Sequence, residues 1–132
     1  MLLSDNEKYP CPCCGYRVNR LPPGSHEVCP ICGWEDDLAQ LRFAEMPGSA
    51  NHVSLVTAQR NFMDCGSAER RYIGETRSPM PDERRDQQWR PIEPSKDNIE
   101  EPSRGVRYGA SYPEDTTVLY YWRATYWRRV VG

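Results

Sequence analysis

Four cysteines carry the chemistry most plainly legible in this chain: Cys11 and Cys14 in CPCCG, residues 11–15, and Cys29 and Cys32 in CPICG, residues 29–33. Both segments read Cys-Pro-x-Cys-Gly. Proline fixes φ behind the first thiolate, and glycine after the second lets backbone N–H groups turn toward sulfur without a Cβ in the way. Two such knuckles bring four soft ligands to one ion, and four thiolates suit a closed tetrahedral site. Such a site leaves no coordination position for substrate, so its expected role is to staple the fold. The fourteen residues between the knuckles are slightly fewer than in the common zinc pattern. They still suffice for a two-stranded excursion turning at LPPGS, residues 21–25.

The other candidate residues have weaker patterns. Cys13 fills the variable position of the first knuckle, where the second has Ile31. It is the odd thiol, either a redox-sensitive or accessory one or a small packed side chain. Cys65, at the end of an expected helix, reads as a buried hydrophobe. Trp34 follows the last ligand and should pack over its knuckle, and Asp36 and Asp37 read as a helix start or an acidic rim. A hydrolase using these carboxylates with His52 is the least favoured reading, because no second carboxylate cluster or partnered histidine accompanies them. Asn51 and His52 read as local hydrogen-bonding residues, and His26, three residues before Cys29, could serve as a ligand only if one of the four cysteines were displaced. The C-terminal residues Trp122, Arg123, Tyr126, Trp127 and Arg128 interleave aromatic and cationic groups. That composition dominates protein interface hot spots and can also stack bases and touch phosphates. A protein partner is favoured over nucleic acid.

The elements that must hold these residues divide the chain in three. Residues 8–76 form a cysteine-rich metal-binding module with a helix. The clearest helix follows Ser54, a natural N-cap; Leu55, Ala58 and Phe62 repeat at helical spacing and Gly66 can stop it in the left-handed conformation. A shorter helix fits residues 38–45, ended by Pro47 and Gly48. Residues 77–113 hold half of the prolines among charged residues and read as an extended arm. Residues 114–132 are an aromatic C-terminal segment whose alternation over 116–131 predicts a β-strand.

Composition sets the frame. Leu, Ile, Val and Phe supply 21 of 132 residues, below the roughly one in five at which a purely hydrophobic core becomes doubtful. A formal net charge of −2 and a pI near 5.7 argue against a general nucleic-acid coat. The opening MLLSDNEKYP lacks a basic region before an apolar run, and no segment is long enough to span a membrane, so a soluble cytoplasmic protein is expected. In that reducing compartment six cysteines read as metal ligands rather than disulfides.

The paired knuckles locally resemble those of rubredoxins and of the rubredoxin-like modules of rubrerythrins, which implies iron and electron transfer as the alternative to zinc. Zinc is favoured because the chain has neither paired Glu-x-x-His ligands nor a nucleotide or flavin fingerprint. Over residues 8–85, YPCPCCGY, CPICGWEDD, NHVSLVTAQRNF and RSPMPDE together resemble the bacterial cysteine-rich CPCC domain family. That resemblance implies a small zinc-ribbon-like module with an appended helix, for which no activity is firmly established. The expected fold is therefore small α+β, with a zinc-ribbon-like module, one or two short helices and a C-terminal strand. The expected function is that of a non-enzymatic zinc protein that binds another protein.

Overall fold

The computed structural model describes residues 8–129. Within it the first knuckle is itself the bend of the only two-stranded sheet: β1, Tyr9–Pro10, lies antiparallel to β2, Arg17–Asn19. Tyr9 faces Asn19 and Pro10 faces Arg17, with an irregularity between the two pairs. An isolated bridge between Val28 and Glu35 brackets the second knuckle in the same way. Strand pairing therefore flanks the knuckles, and the two-stranded excursion expected between them does not form. The physical reason lies in the knuckle itself, a tight reversal that returns the chain alongside its own entry.

Two helices follow. α1, Leu38–Arg42, is capped by Asp37, whose Oδ1 accepts the Ala39 and Gln40 amides at 2.8 and 3.3 Å. It is shorter than the expected 38–45. α2, Leu55–Cys65, starts where Ser54 Oγ accepts the Thr57 amide and stops at Gly66, whose φ of 81° is left-handed. Both ends agree with the sequence reading, because cap chemistry is local. The buried face of α2 carries Leu55, Val56, Ala58 and Gln59. Among the described residues no helix is long and apolar enough to cross a membrane.

The core gathers the five cysteines of the knuckles with Ile31, Trp34, Leu41, Leu55 and the tail residues 119–122. Polar side chains tie it together from inside. Gln40, fully buried, donates to the carbonyls of Met46, Asn51 and Val53 and accepts from Asn51. Gln59 on α2 donates to Pro12 O at 3.0 Å and Tyr121 Oη at 2.8 Å, and its Oε1 accepts the Ile92 amide at 2.9 Å. One amide thus joins the first knuckle, the Pro-rich segment and the tail, with every bond satisfied. That Pro-rich segment, residues 77–113, forms no helix or strand beyond a 3-10 turn at Gly109–Ser111 and the bridge of Arg85 to Tyr16. It lies on the module nonetheless, with Asp86 and Ile92 buried.

The C-terminal strand is not formed over residues 116–129; Val130 and Val131 of that expectation fall outside the described residues. A 3-10 helix at Thr116–Leu119 is followed by successive turns. Their amides bond three residues back: Tyr120 to Thr117, Arg123 to Tyr120, Tyr126 to Arg123 and Arg129 to Tyr126. Leu119, Tyr120, Tyr121 and Trp122 are consecutively buried. A strand with one buried face cannot bury four residues in a row. A tightly turning backbone can, while pairing several of its amides within the segment and without a partner strand.

Candidate metal centre

The two knuckles are built alike. In the first, Cys11 N donates to Tyr16 O at 2.8 Å and Gly15 N to Cys11 O at 2.7 Å; in the second, Cys29 N donates to Trp34 O at 2.9 Å and Gly33 N to Cys29 O at 2.8 Å. Gly15 and Gly33 have φ of 81° and 86°, a region costly for any residue with a Cβ. Each is also roofed by a ring. A Cβ on Gly15 would lie 2.6 Å from Trp89, and one on Gly33 2.8 Å from Tyr72. Glycine is thus required twice over at both positions.

This double reversal brings Cys11, Cys14, Cys29 and Cys32 together, with all four sulfurs within 4.8 Å of one another. Cys11 and Cys32 are 3.6 Å apart and Cys14 and Cys29 3.7 Å, far beyond the ~2.05 Å of a disulfide. Four sulfurs at ~2.3 Å from a central zinc would be separated by roughly 3.8 Å along each tetrahedral edge, so the cluster fits a tetrahedral ion. All four residues are at most 1% exposed. Burial pushes the thiols of Cys11, Cys14 and Cys32 well above the usual range, whereas hydrogen bonds from the other three hold Cys29 well below it. Four thiolates buried together repel one another, so holding all four ionised here requires a cation among them.

Cys13 is fully buried beside this quartet and is not one of the four. Its thiol bears on Cys32 and adds to the upward push there. Cys65 is only partly buried, with its sulfur 3.7 Å from Ser67 O, and is not the buried hydrophobe expected. Trp34 is buried after the second knuckle as expected. Its Nε1 has no hydrogen-bond partner among the described residues.

The acidic pair behind it belongs to the scaffold. Asp36 accepts Gly24 N, Ser25 N and Ser25 Oγ at 3.1, 3.0 and 2.7 Å, while burial raises its pKa. Burial also opposes the charge of Asp37, but bonds from Ser49 and three backbone amides outweigh it and hold its pKa low. Both are buried, so neither is an exposed rim. His52 contacts Arg71 and Glu69. His26 pairs with Glu35 at 3.2 Å.

The five tail residues lie apart from one another in role. Trp122 and Tyr126 are core residues, donating to Asp86 Oδ2 at 3.1 Å and Asn98 O at 3.1 Å. Arg123 donates to Asp86 Oδ2 at 3.2 Å, and Arg128 to Asn98 O at 3.2 Å. Trp127, 37% exposed, packs its ring 5.0 Å from the Arg42 guanidinium. Sequence reasoning passed over Arg42, Gln59 and Asp86, the buried residues on which this packing converges. A hint was present in RRDQQWR, residues 84–90, where one acid sits among arginines beside a tryptophan. Arg85 there donates Nε to Cys14 O at 2.9 Å, and Trp89 donates Nε1 to Pro12 O at 2.9 Å.

Comparison with known families matches residues 9–83 to a family model described as Cysteine-rich CPCC. The match takes in both knuckles, α1 and α2, and ends just before Arg84. No curated protein matches the chain.

Proposed function

The chain belongs to the cysteine-rich CPCC family, and from that premise we propose that it is a non-enzymatic zinc protein whose metal is structural and whose surface serves contact with another protein. The observation that carries this reading is the burial of four converging thiols to 1% exposure or less. Bound there, zinc would supply a fixed tetrahedral node. Cys11, Cys14, Cys29 and Cys32 would hold it, the two knuckle glycines would shape their approach, and Tyr72 and Trp89 would cover the outside. Nothing in that set reserves a position for substrate. A zinc-ribbon-like classification and a reducing, cytoplasmic setting in a bacterium accord with thiols kept unpaired.

Elemental analysis of protein purified from its native host tests the metal. One zinc per chain is expected. Iron with the colour of a ferric thiolate centre would replace this reading by electron transfer, and no stoichiometric metal would end it. For the partner, Trp127 and Arg128 are the most exposed of the five tail residues singled out by the sequence. A Trp127→Ala/Arg128→Ala protein is expected to keep its metal and lose a co-purifying protein. Retention of that protein would place the contact elsewhere.

A further inference from the structure

Outside the metal centre, the strand leaving the first knuckle, the loop after residue 83 and the tail enclose a pocket of about 420 Å³. Arg17, Arg84, Arg85, Asp86, Gln87 and Arg123 line it. The backbone around it is fastened. Arg17 N donates to Arg84 O at 2.9 Å, Asp86 N donates to Gly15 O at 2.8 Å, and Tyr16 bridges Arg85.

Three guanidiniums are aimed into it, two of them by a common carboxylate. Arg85 is held through Nε by Cys14 O at 2.9 Å and stacked 4.7 Å from Tyr16 and 4.9 Å from Trp89. Arg123 is held by Asp86 Oδ2 at 3.2 Å and lies 4.8 Å from the Tyr120 ring. Arg17 lies 3.7 Å from Asp86 Oδ1 and donates to Lys8 O at 3.3 Å. Asp86, 5% exposed, is already occupied by Trp122 Nε1 and the Gln88 amide. One saturated carboxylate is therefore shared by two arginines, and Arg85 has no carboxylate partner among the described residues. A guanidinium offers five N–H donors, so each of the three keeps donors in excess of those its anchors use.

We infer that this pocket binds a phosphate-bearing small molecule, its doubly charged group gripped by Arg17, Arg85 and Arg123. Arginine forks match phosphate oxygens in pairs. Two negative charges and several acceptor oxygens suit three cations better than the single charge of a carboxylate. The volume exceeds that of one phosphate, which favours a diphosphate or a sugar phosphate. A nucleic acid is disfavoured by the acidic balance of the whole chain, −2 at neutral pH, which repels a long polyanion.

Calorimetric titration of the zinc-loaded full chain with inorganic pyrophosphate at low ionic strength is the test. Saturable binding with one site is expected. Gln87→Glu, an acid introduced on an exposed lining side chain, is expected to weaken it about tenfold or more, with the unfolding midpoint unchanged. Arg123→Lys, which keeps the charge and loses the fork, is expected to weaken it less. Absence of saturable binding, equal affinity in Gln87→Glu, or equal affinity for sulfate would overturn the inference. So would a single-stranded oligonucleotide that binds more tightly than pyrophosphate and is itself lost in Gln87→Glu.

Discussion

Cys13 shows what a thiol does when it sits in a knuckle without holding an ion. Fully buried, it packs beside Cys32 while the other four sulfurs converge. Cys11→Ser and Cys14→Ser are expected to abolish stoichiometric metal and the folded near-UV signature. Cys13→Ser should retain one metal per chain and lose about 1–3 kcal/mol in denaturant unfolding, the cost of burying a hydroxyl. Greater metal loss in Cys13→Ser than in Cys11→Ser would refute this ligand assignment. The glycines give a second comparison. Gly66 and Gly33 have similar positive φ, but a Cβ at Gly66 meets open space while one at Gly33 meets Tyr72. Gly66→Ala should cost about 1–2 kcal/mol of left-handed strain. Gly33→Ala should cost more and reduce metal affinity as well, because the displaced ring covers the second knuckle. These residues were legible from the start, since the doubled CPxCG pattern states both ligand and glycine by spacing alone.

Elements were legible only where their determinants are local. Ser54 and Gly66 delimit α2 by side chain and φ, and the sequence names both. The tail was misread because alternation counts types and not partners: its tyrosines and tryptophans are buried by what their polar tips reach. Tyr120 Oη donates to Pro10 O at 3.1 Å, Tyr121 Oη to Arg90 O and Trp122 Nε1 to Asp86. None of those acceptors is near in sequence. The same holds at the end of α1, where Arg42 sits among the rings of Phe43, Tyr108, Tyr112 and Trp127 at 4.7–5.0 Å. It also grips Glu100 through Nε at 2.9 Å and Nη2 at 3.1 Å. Arg42→Ala would empty the cage and leave the Glu100 carboxylate only Arg128, whose Nη1 lies 3.3 Å away, a loss of about 3 kcal/mol in denaturant unfolding. Arg42 holds the Glu100 pKa below its ordinary value. A carboxyl depressed in the folded state contributes stability that is full above its unfolded pKa of about 4.3 and is lost as pH falls through the folded value. Unfolding midpoints should therefore drop on acidification below about pH 4.3, and Glu100→Gln should flatten that part of the profile. An unchanged slope in Glu100→Gln would show that the pair is not the source.

At the scale of the molecule, a core short of aliphatic residues is organised around sulfur. Structural zinc sites supply roughly 10–16 kcal/mol of apparent binding free energy at neutral pH, against about 5–15 kcal/mol of net stability for a domain. Chelation is expected to unfold the chain cooperatively, with near-UV and far-UV signals lost together; a chelated chain that kept both would show that the remaining packing suffices. The carbonyl of Pro12, inside the first knuckle, receives both Gln59 and Trp89. The turn that holds two ligands is thus anchored by α2 and by the Pro-rich segment, and through Gln59 by Tyr121. Whatever energy the docked tail gives that turn, the ion must return to the tail, because coupling between two binding events is reciprocal. Tyr121→Phe, which removes one hydroxyl far along the chain from any cysteine, should then lower metal affinity in equilibrium competition with a chromogenic chelator. The metal would serve as a reporter of whether the C-terminal segment is seated.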